Sequence, residues 1–251
     1  MALRCVYTDL DGTLLGQGGS LFRDGEGAFT LLPGRALEAC HRAGVEVVIK
    51  SGRRKAQVME DARLIGQTSY IYELGAGLVI DGEETILTGE LRPEEGRSVH
   101  AQIEESGAPA LLLERFEIEH HEPWHEGRQV THLFRGHVDV EEANGLLEAE
   151  GHGGLRLVDN GQAAEGGHTY HLIPAAASKA AAVQLHMRAR GYAPAECIAV
   201  GDSREDLGVA EVVGRFFLVA NGPDVTGPNV TRTESGHGVG FYEAVVSSLV
   251  G

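Results

Sequence analysis

Near-continuous apolar runs of strand length alternate with amphipathic stretches at both ends of the chain. "LRCVYT" (Leu3–Thr8) and "VEVVIK" (Val45–Lys50) are two such runs, and they predict strands covered on both faces, as in a parallel sheet. Between them the Gly-rich stretch 16–27 predicts a flexible loop. Pro33 then opens a helix through "GRALEACHRAG" that Gly44 closes, because Pro suits a first helical turn and Gly a C-terminal cap. A helix at about 54–64 and strands in "SYIY" and "GAGLVI" follow, ending at the Asp81-Gly82 turn. Strand, helix, strand, helix, strand is the α/β pattern.

From 82 to 173 the rhythm changes to strands of mixed character, with helices expected near Glu94–Glu105 and Val140–Glu150. The α/β rhythm then resumes with a helix at Ser178–Arg190, the strand "CIAVGD" (Cys197–Asp202), a helix from Arg204, the strand "RFFLVA" (Arg215–Ala220) and a last helix around Val239–Leu249. The expected fold is a doubly wound, mainly parallel α/β core, residues 1–81 and 174–251, with an inserted α+β cap at 82–173. The chain shows no internal repeat and no low-complexity tract.

Composition narrows the partners. Twenty-one Lys and Arg against 37 Asp and Glu give a formal charge of −16, which repels phosphate backbones and anionic lipid surfaces. Neither nucleic acid nor a membrane is an expected partner. Cys5, Cys40 and Cys197 are scattered and odd in number, so they offer neither a disulfide framework nor a C-x-x-C metal site, and a reducing cytoplasm fits. The N-terminus lacks a signal-peptide pattern, and no apolar run approaches membrane-spanning length.

Polar features sit where strand ends and a helix start are expected. "VYTDLDGTLL" places Asp9 and Asp11 just after the first strand, "VVIKSGR" ends a strand in Ser51-Gly52, "ASKAAAV" begins a helix with Lys179, and "IAVGDSRED" ends a strand in Asp202 with Asp206 four residues on. Taken alone, D-x-D-G after a strand also reads as a turn. In open α/β sheets, however, the ligand crevice lies beyond the carboxyl ends of the strands, so all four features converge. Asp9, Asp11 and Asp202 form an oxygen-rich cluster suited to Mg2+. Ser51 can donate to a phosphoryl oxygen, and Lys179 supplies compact positive charge for a transferring phosphoryl group. Asp9 is then the candidate nucleophile, and Asp11 the acid that protonates the leaving oxygen and later the base that deprotonates water.

These motifs resemble those of the haloacid dehalogenase superfamily of phosphohydrolases: D-x-D-G-T at Asp9, Asp11, Gly12 and Thr13; the strand-end Ser51; Lys179; and G-D-S-x-x-D at Gly201, Asp202, Ser203 and Asp206. The resemblance implies that Mg2+ is held by Asp9, the backbone carbonyl of Asp11 and Asp202, with Thr13, Ser203 and Asp206 behind them. The second aspartate favours phosphate-ester chemistry over dehalogenation. The insertion between the second and third motifs resembles the large cap of the sugar phosphatases, including the Cof-type, sucrose-phosphate and mannosyl-3-phosphoglycerate groups. "YELGAG" has Leu74 where that group's E-N-G-A segment has Asn, and "GDSRED" has Glu205 where Asn is common. "VANGP" makes Asn221 a phosphate-side contact alongside Gly52. The implied activity is Mg2+-dependent hydrolysis of a small phosphate monoester, a sugar phosphate or glycosyl-phosphoglycerate. A phosphomutase using the same nucleophile, or a non-catalytic binding module, are the alternatives.

"HEPWH" (His121–His125) spells the H-E-x-x-H of zinc proteases, but Pro123 opposes the continuous helix that pattern needs. "GAGLVIDG" lacks the third glycine of a dinucleotide site, and "NVT" at Asn229 matters only in a secreted chain. Cap histidines read mainly as surface or satisfied core residues. Trp124, His132, Arg135 and His137 are candidate substrate contacts, with His132 on the strand face shared by Phe134 and the other two opposite.

Overall fold

Apolar residues on both sides of successive short strands force a central sheet to be sandwiched by helices. In the computed structural model, which describes residues 2–162 and 166–250, the elements run β1 Cys5–Thr8, α1 Leu32–Ala43, β2 Glu46–Lys50, α2 Lys55–Leu64, β3 Tyr70–Tyr72, β4 Gly77–Ile80 and β5 Glu83–Ile86. Next come α3 Val99–Glu105, α4 Ala108–Arg115, β6 Glu117–His120, β7 His132–His137, α5 Val140–Ala149, β8 Leu155–Gln162 and β9 His168–Pro174. The chain closes with α6 Lys179–Arg190, β10 Cys197–Gly201, α7 Arg204–Leu207, β11 Arg215–Leu218, β12 Val230–Arg232 and α8 His237–Val250. Among the described residues, no helix is long and apolar enough to cross a membrane.

One sheet has the order β12-β11-β10-β1-β2-β3-β4-β5, parallel from β12 to β3 and antiparallel from β3 to β5. On β1, Val6 packs with Leu37, Cys40 and Phe241, while Cys5 and Tyr7 on the opposite face pack with Val183, Met187 and Phe216. This is the two-sided burial expected of a parallel strand. A second, antiparallel sheet has the order β6-β7-β9-β8. Its inward-facing Phe134, Tyr170 and Leu172 join Val99, Leu112 and Leu147 in a separate apolar cluster.

Three local expectations differ from the structure. The boundary at 81/82 falls inside a hairpin, because β5 pairs with β4 and extends the first sheet to Ile86. The helix expected from Glu94 starts only at Val99, where the Ser98 hydroxyl accepts from Ala101 N, since 94–97 closes on itself through reciprocal Glu94–Arg97 backbone bonds. Helix α4 follows at once, with Gly107 in the left-handed region at its N-terminus and Pro109 in its first turn, where the missing N–H of proline costs no hydrogen bond. The 16–27 stretch is a set of tight turns with bridges Gly16–Ser20 and Arg23–Phe29 at its ends.

Two polar assemblies, the first buried and the second partly so, organise the second sheet. Glu73, fully buried between β3 and β4, reaches across to residues 129–131. Its Oε1 accepts from Gln129 N at 2.9 Å, and its Oε2 from Val130 N, Thr131 N and Thr131 Oγ1 at 3.0, 2.7 and 3.0 Å. Glu73→Gln replaces one acceptor oxygen by a donor facing buried N–H groups. It is expected to lower the unfolding free energy by about 1.5–3 kcal/mol, the usual cost of losing hydrogen bonds to a charged group. A shifted urea midpoint tests this; an unchanged midpoint would mean that water replaces the lost acceptor.

The second assembly is four imidazoles. His100 and His132 stack with ring centroids 3.8 Å apart, His125 lies 5.3 Å from each, and His120 lies 4.1 Å from His125. Burial first, and then the neighbouring imidazoles, push His125 down to about 4 and His132 down to about 3.

Candidate active site

The parallel strands end together, and their ends carry the candidate site residues. Asp9 follows β1 and is fixed by its N–H to Val200 O at 3.1 Å on the neighbouring β10. Gly12 has φ +79°, and a Cβ there would lie 2.2 Å from Asp202 Oδ2, so only glycine lets this loop pass the second carboxylate. Thr13, two residues beyond Asp11, turns its hydroxyl onto Asp202 Oδ1 at 2.9 Å. Lys179 is the first residue of α6, whose N-cap Ser178 accepts from Ala181 N. Asp206 is held in α7 by a capping box with Ser203.

At the centre, Lys179 Nζ donates to Asp9 Oδ1 at 2.6 Å and to Asp206 Oδ1 at 2.8 Å. A second ammonium, Lys50 at the end of β2, donates to the same Asp206 oxygen at 2.5 Å and to Val200 O at 3.1 Å. The side chains of Lys50 and Asp206 are completely buried. The two lysines hold Asp206 well below the usual carboxylate range despite burial, and the two acids beside Lys179 hold its ammonium strongly protonated. Lys50 moves the other way: burial and the nearby Lys179 outweigh Asp206. Asp9 and Asp202 are pushed up, to about 7 and about 6, chiefly by burial and by Coulomb repulsion from Asp206, against the pull of Lys179. Oxygen atoms of Asp9, Asp202 and Asp206 lie within 4.8 Å of one another.

Asp11 stands apart, with its side chain 57% exposed. Arg53 grips it with Nε to Oδ2 at 2.8 Å and Nη2 to Oδ1 at 2.6 Å, while Nη1 holds Asp61 at 2.9 Å. These carboxylates raise Arg53 above its ordinary value in spite of burial.

A cavity of about 490 Å3 lies over this floor, lined by Asp9, Asp11, Ser51, Lys179, Asp202 and Ser203 from the first sheet and by Trp124, Arg128, Leu133 and His171 from the second. Leu133 and His171 are register partners on β7 and β9, so the odd-numbered face of β7 meets the site and the even-numbered face is core. Arg128 is buried and pushed down to about 10 by that burial, with Arg54 adding to the effect against Glu73. Its Nε donates to Trp124 O at 3.1 Å, and its Nη1 to Gly52 O at 3.0 Å and Thr131 Oγ1 at 2.9 Å. Burial and nearby Arg128 and Lys179 hold His171 neutral, well below its ordinary value.

Of the residues singled out in the sequence, Asp9, Asp11, Ser51, Gly52, Lys179, Asp202 and Ser203 line this one cavity, with Thr13 and Asp206 buried beneath it. Asn221 instead braces the loop from outside: Nδ2 donates to Gly12 O at 2.9 Å and Oδ1 accepts from His237 N at 2.8 Å. Trp124 lines the cavity; His132 lies in the imidazole stack, Arg135 pairs with Glu119 at 2.7 Å, and His137 sits at the exposed far end of β7. Sequence reasoning missed Lys50, Arg53, Arg128 and His171. Lys50 alone left a signal, a charge ending an otherwise apolar strand.

No protein-family model matches the chain. It is 27% identical over 221 residues to the phosphoglycolate phosphatase of Archaeoglobus fulgidus, covering 87% of this chain and 84% of that one. The fold is similar to that of the sucrose-phosphatase of Synechocystis sp. PCC6803 in complex with sucrose and phosphate, with TM-score 0.70, 16% identity and coverage of 99% and 98%. A haloacid dehalogenase-like hydrolase from Bacteroides thetaiotaomicron aligns with TM-score 0.67, 15% identity and coverage of 98% and 99%.

Proposed function

Starting from a chain that has the fold of the haloacid dehalogenase-like hydrolases, we propose that it is a phosphoric monoester hydrolase working through an aspartyl-phosphate on Asp9. The observation that carries this reading is the buried Asp9–Lys179–Asp206 chain at the floor of the cavity. A carboxylate oxygen of Asp9 attacks phosphorus while the bond from phosphorus to the substrate oxygen breaks. Asp11 gives that oxygen its proton. The emptied carboxylate of Asp11 then takes a proton from water, which attacks the phosphoryl group and frees Asp9 and inorganic phosphate. Lys179 keeps Asp9 aimed, and Ser51, which lines the same cavity, donates to a phosphoryl oxygen. For Asp11 to act, Arg53 must loosen its grip, and an arriving phosphate offers that guanidinium a second anion.

The residues fit Mg2+. Asp206 is already neutralised by two lysines, whereas the raised Asp9 and Asp202 mark negative charge that a cation would relieve. Asp9, Asp202 and the main-chain carbonyl of Asp11 would hold the ion, which when bound neutralises charge developing on the transferring group. Protons compete with the ion for Asp9 and Asp202, so the gain in melting temperature on adding Mg2+ should be small at pH 5 and grow as pH rises through 6 to 7. Thermal-shift measurements with and without Mg2+ across that range check it. A gain independent of pH would place the ion elsewhere.

For the substrate, the second sheet supplies a cation. Arg128 commits Nε and Nη1 to protein acceptors, leaving Nη2 for a ligand in the cavity it lines. A small phosphate ester with a carboxylate at its far end satisfies Arg128 and the floor together, and the phosphoglycolate phosphatase relative supports that class. A neutral phosphorylated sugar is the second reading, supported by the likeness to sucrose-phosphatase. Phosphate release from 2-phosphoglycolate and from a panel of sugar phosphates separates them. Arg128→Lys should raise KM for phosphoglycolate by about 10- to 100-fold, the worth of a charge-assisted contact, with little change for p-nitrophenyl phosphate. Equal effects on both esters would remove Arg128 from substrate recognition. Interconversion of sugar phosphates without free phosphate would favour the mutase.

A further inference from the structure

Residues 122–124, at the heart of the H-E-x-x-H spelling, form a turn closed by His125 N to His121 O at 2.8 Å, so the protease pattern is absent. His125 lies instead against histidines from two other segments. We propose that His100, His125 and His132 form a binding site for a transition-metal ion of the Zn2+ class, completed by the Glu104 carboxylate and separate from the aspartate cluster.

The three side chains each offer a ligand atom, all within 4.8 Å of one another. Their other contacts fix which nitrogens are offered. His100 Nδ1 meets Thr131 O at 2.9 Å and must carry the hydrogen there, leaving the Nε2 lone pair free in the neutral ring. His132 Nε2 meets His100 O at 3.1 Å, which leaves Nδ1 as the bare nitrogen. That Nδ1 has no hydrogen-bond partner, in a side chain with no exposure. Metal-binding histidines characteristically donate their other ring N–H to a carbonyl, which orients the ring and raises its basicity. Glu104 Oε2 stands 3.4 Å from the same Nδ1 on a half-exposed side chain that can turn inward. His125 Nδ1 accepts from Leu133 N at 3.1 Å, so it joins by exchanging that bond for the ion.

Size and chemistry select the ion. Zinc–imidazole bonds of about 2.0–2.1 Å in a tetrahedron put ligand nitrogens about 3.3 Å apart, so the group must contract by up to about 1.5 Å and the stacked His100 and His132 rings must turn until both lone pairs meet at the ion. Imidazole nitrogen suits Zn2+, Cu2+ or Ni2+, whereas Mg2+ prefers oxygen, so Mg2+ at the aspartates does not compete. An ion here ties α3, the 121–131 segment and β7 together. The tied segment carries Trp124 and Arg128, so the metal would brace one wall of the cavity.

Chelator-stripped full-length protein is dialysed against Zn2+ alone in excess Mg2+, and retained metal is measured. Wild type and Asp202→Asn are expected to keep one equivalent of zinc, and His100→Gln and His125→Gln to bind at least about 10-fold more weakly. Both variants change partly exposed positions rather than buried His132, and circular dichroism verifies their folding. Co2+ in place of Zn2+ should give the intense visible bands of a tetrahedral nitrogen site, absent in His100→Gln. Retention equal in wild type and the two histidine variants, or retention lost with Asp202→Asn alone, would overturn the proposal and leave the imidazoles as packing.

Discussion

Asp9→Asn is expected to abolish turnover on every phosphate ester, however good its leaving group, because it removes the attacking oxygen of the proposed nucleophile. Lys179 would still be held by Asp206, so the variant should fold and its loss be chemical. Asp11→Asn should behave differently. A sugar or glycolate alkoxide needs its proton, whereas p-nitrophenolate leaves without one, so the first step should slow by about 10²–10⁴-fold only for the poor leaving group, the usual worth of general acid catalysis. The same variant lacks the base for the second step. With p-nitrophenyl phosphate it should give a burst of nitrophenol near one equivalent, then slow turnover, with a hydroxylamine-sensitive phosphoenzyme. Because Asp11 is exposed and, among the described residues, its side chain is gripped by Arg53 alone, its replacement should leave the fold intact. Equal losses on both esters with no trapped phosphoenzyme would mean that the two aspartates serve only to hold metal.

Asp206→Asn should cause the largest loss of stability. Asp206 Oδ1 is shared by two buried ammoniums, and its Oδ2 accepts from Ser203 Oγ at 2.7 Å. Replacing the carboxylate leaves fully buried Lys50 without a counterion and Lys179 with Asp9 alone, and breaking a buried pair typically costs about 3–5 kcal/mol. Against the roughly 5–15 kcal/mol that holds a domain together, this is a large fraction. The pH dependence has a fixed sign. Asp206 is depressed in the folded chain, so its contribution is complete above the unfolded carboxylate value and fades as pH falls through the lower folded one. The gap in urea midpoint between wild type and Asp206→Asn should therefore be full at pH 7 and narrow below about pH 4. Lys50→Met in the Asp206→Asn background should recover part of the loss by removing one stranded charge. Wild-type stability in Asp206→Asn alone would mean that Lys50 is neutral in the fold.

The sequence by itself determined the α/β rhythm, because two-sided apolar strands such as β1 and β2 and helices bounded by Pro33 and Gly44 declare themselves through local chemistry. It also pointed to the residues that meet at the floor of the cavity. Asp9, Asp11, Ser51, Lys179 and Asp202 sit at strand ends or a helix start, and in a parallel sheet those ends meet by topology alone. What the sequence did not carry was every choice between two equivalent faces. β7 alternates regardless, and only packing of Phe134 against the apolar cluster decided that Leu133, not His132, faces the cavity. Arg128 and His171 lie on residues with no motif, and they reach the site because Glu73 fastens segment 129–131 and β9 pairs with β7. Lys50 shows the same limit at its sharpest. A lysine closing a strand reads as a solvated end, and only β10, two strands away in the sheet, and α7 turn it into the buried counterion of Asp206, because a charge can be buried only where distant segments bring it a partner.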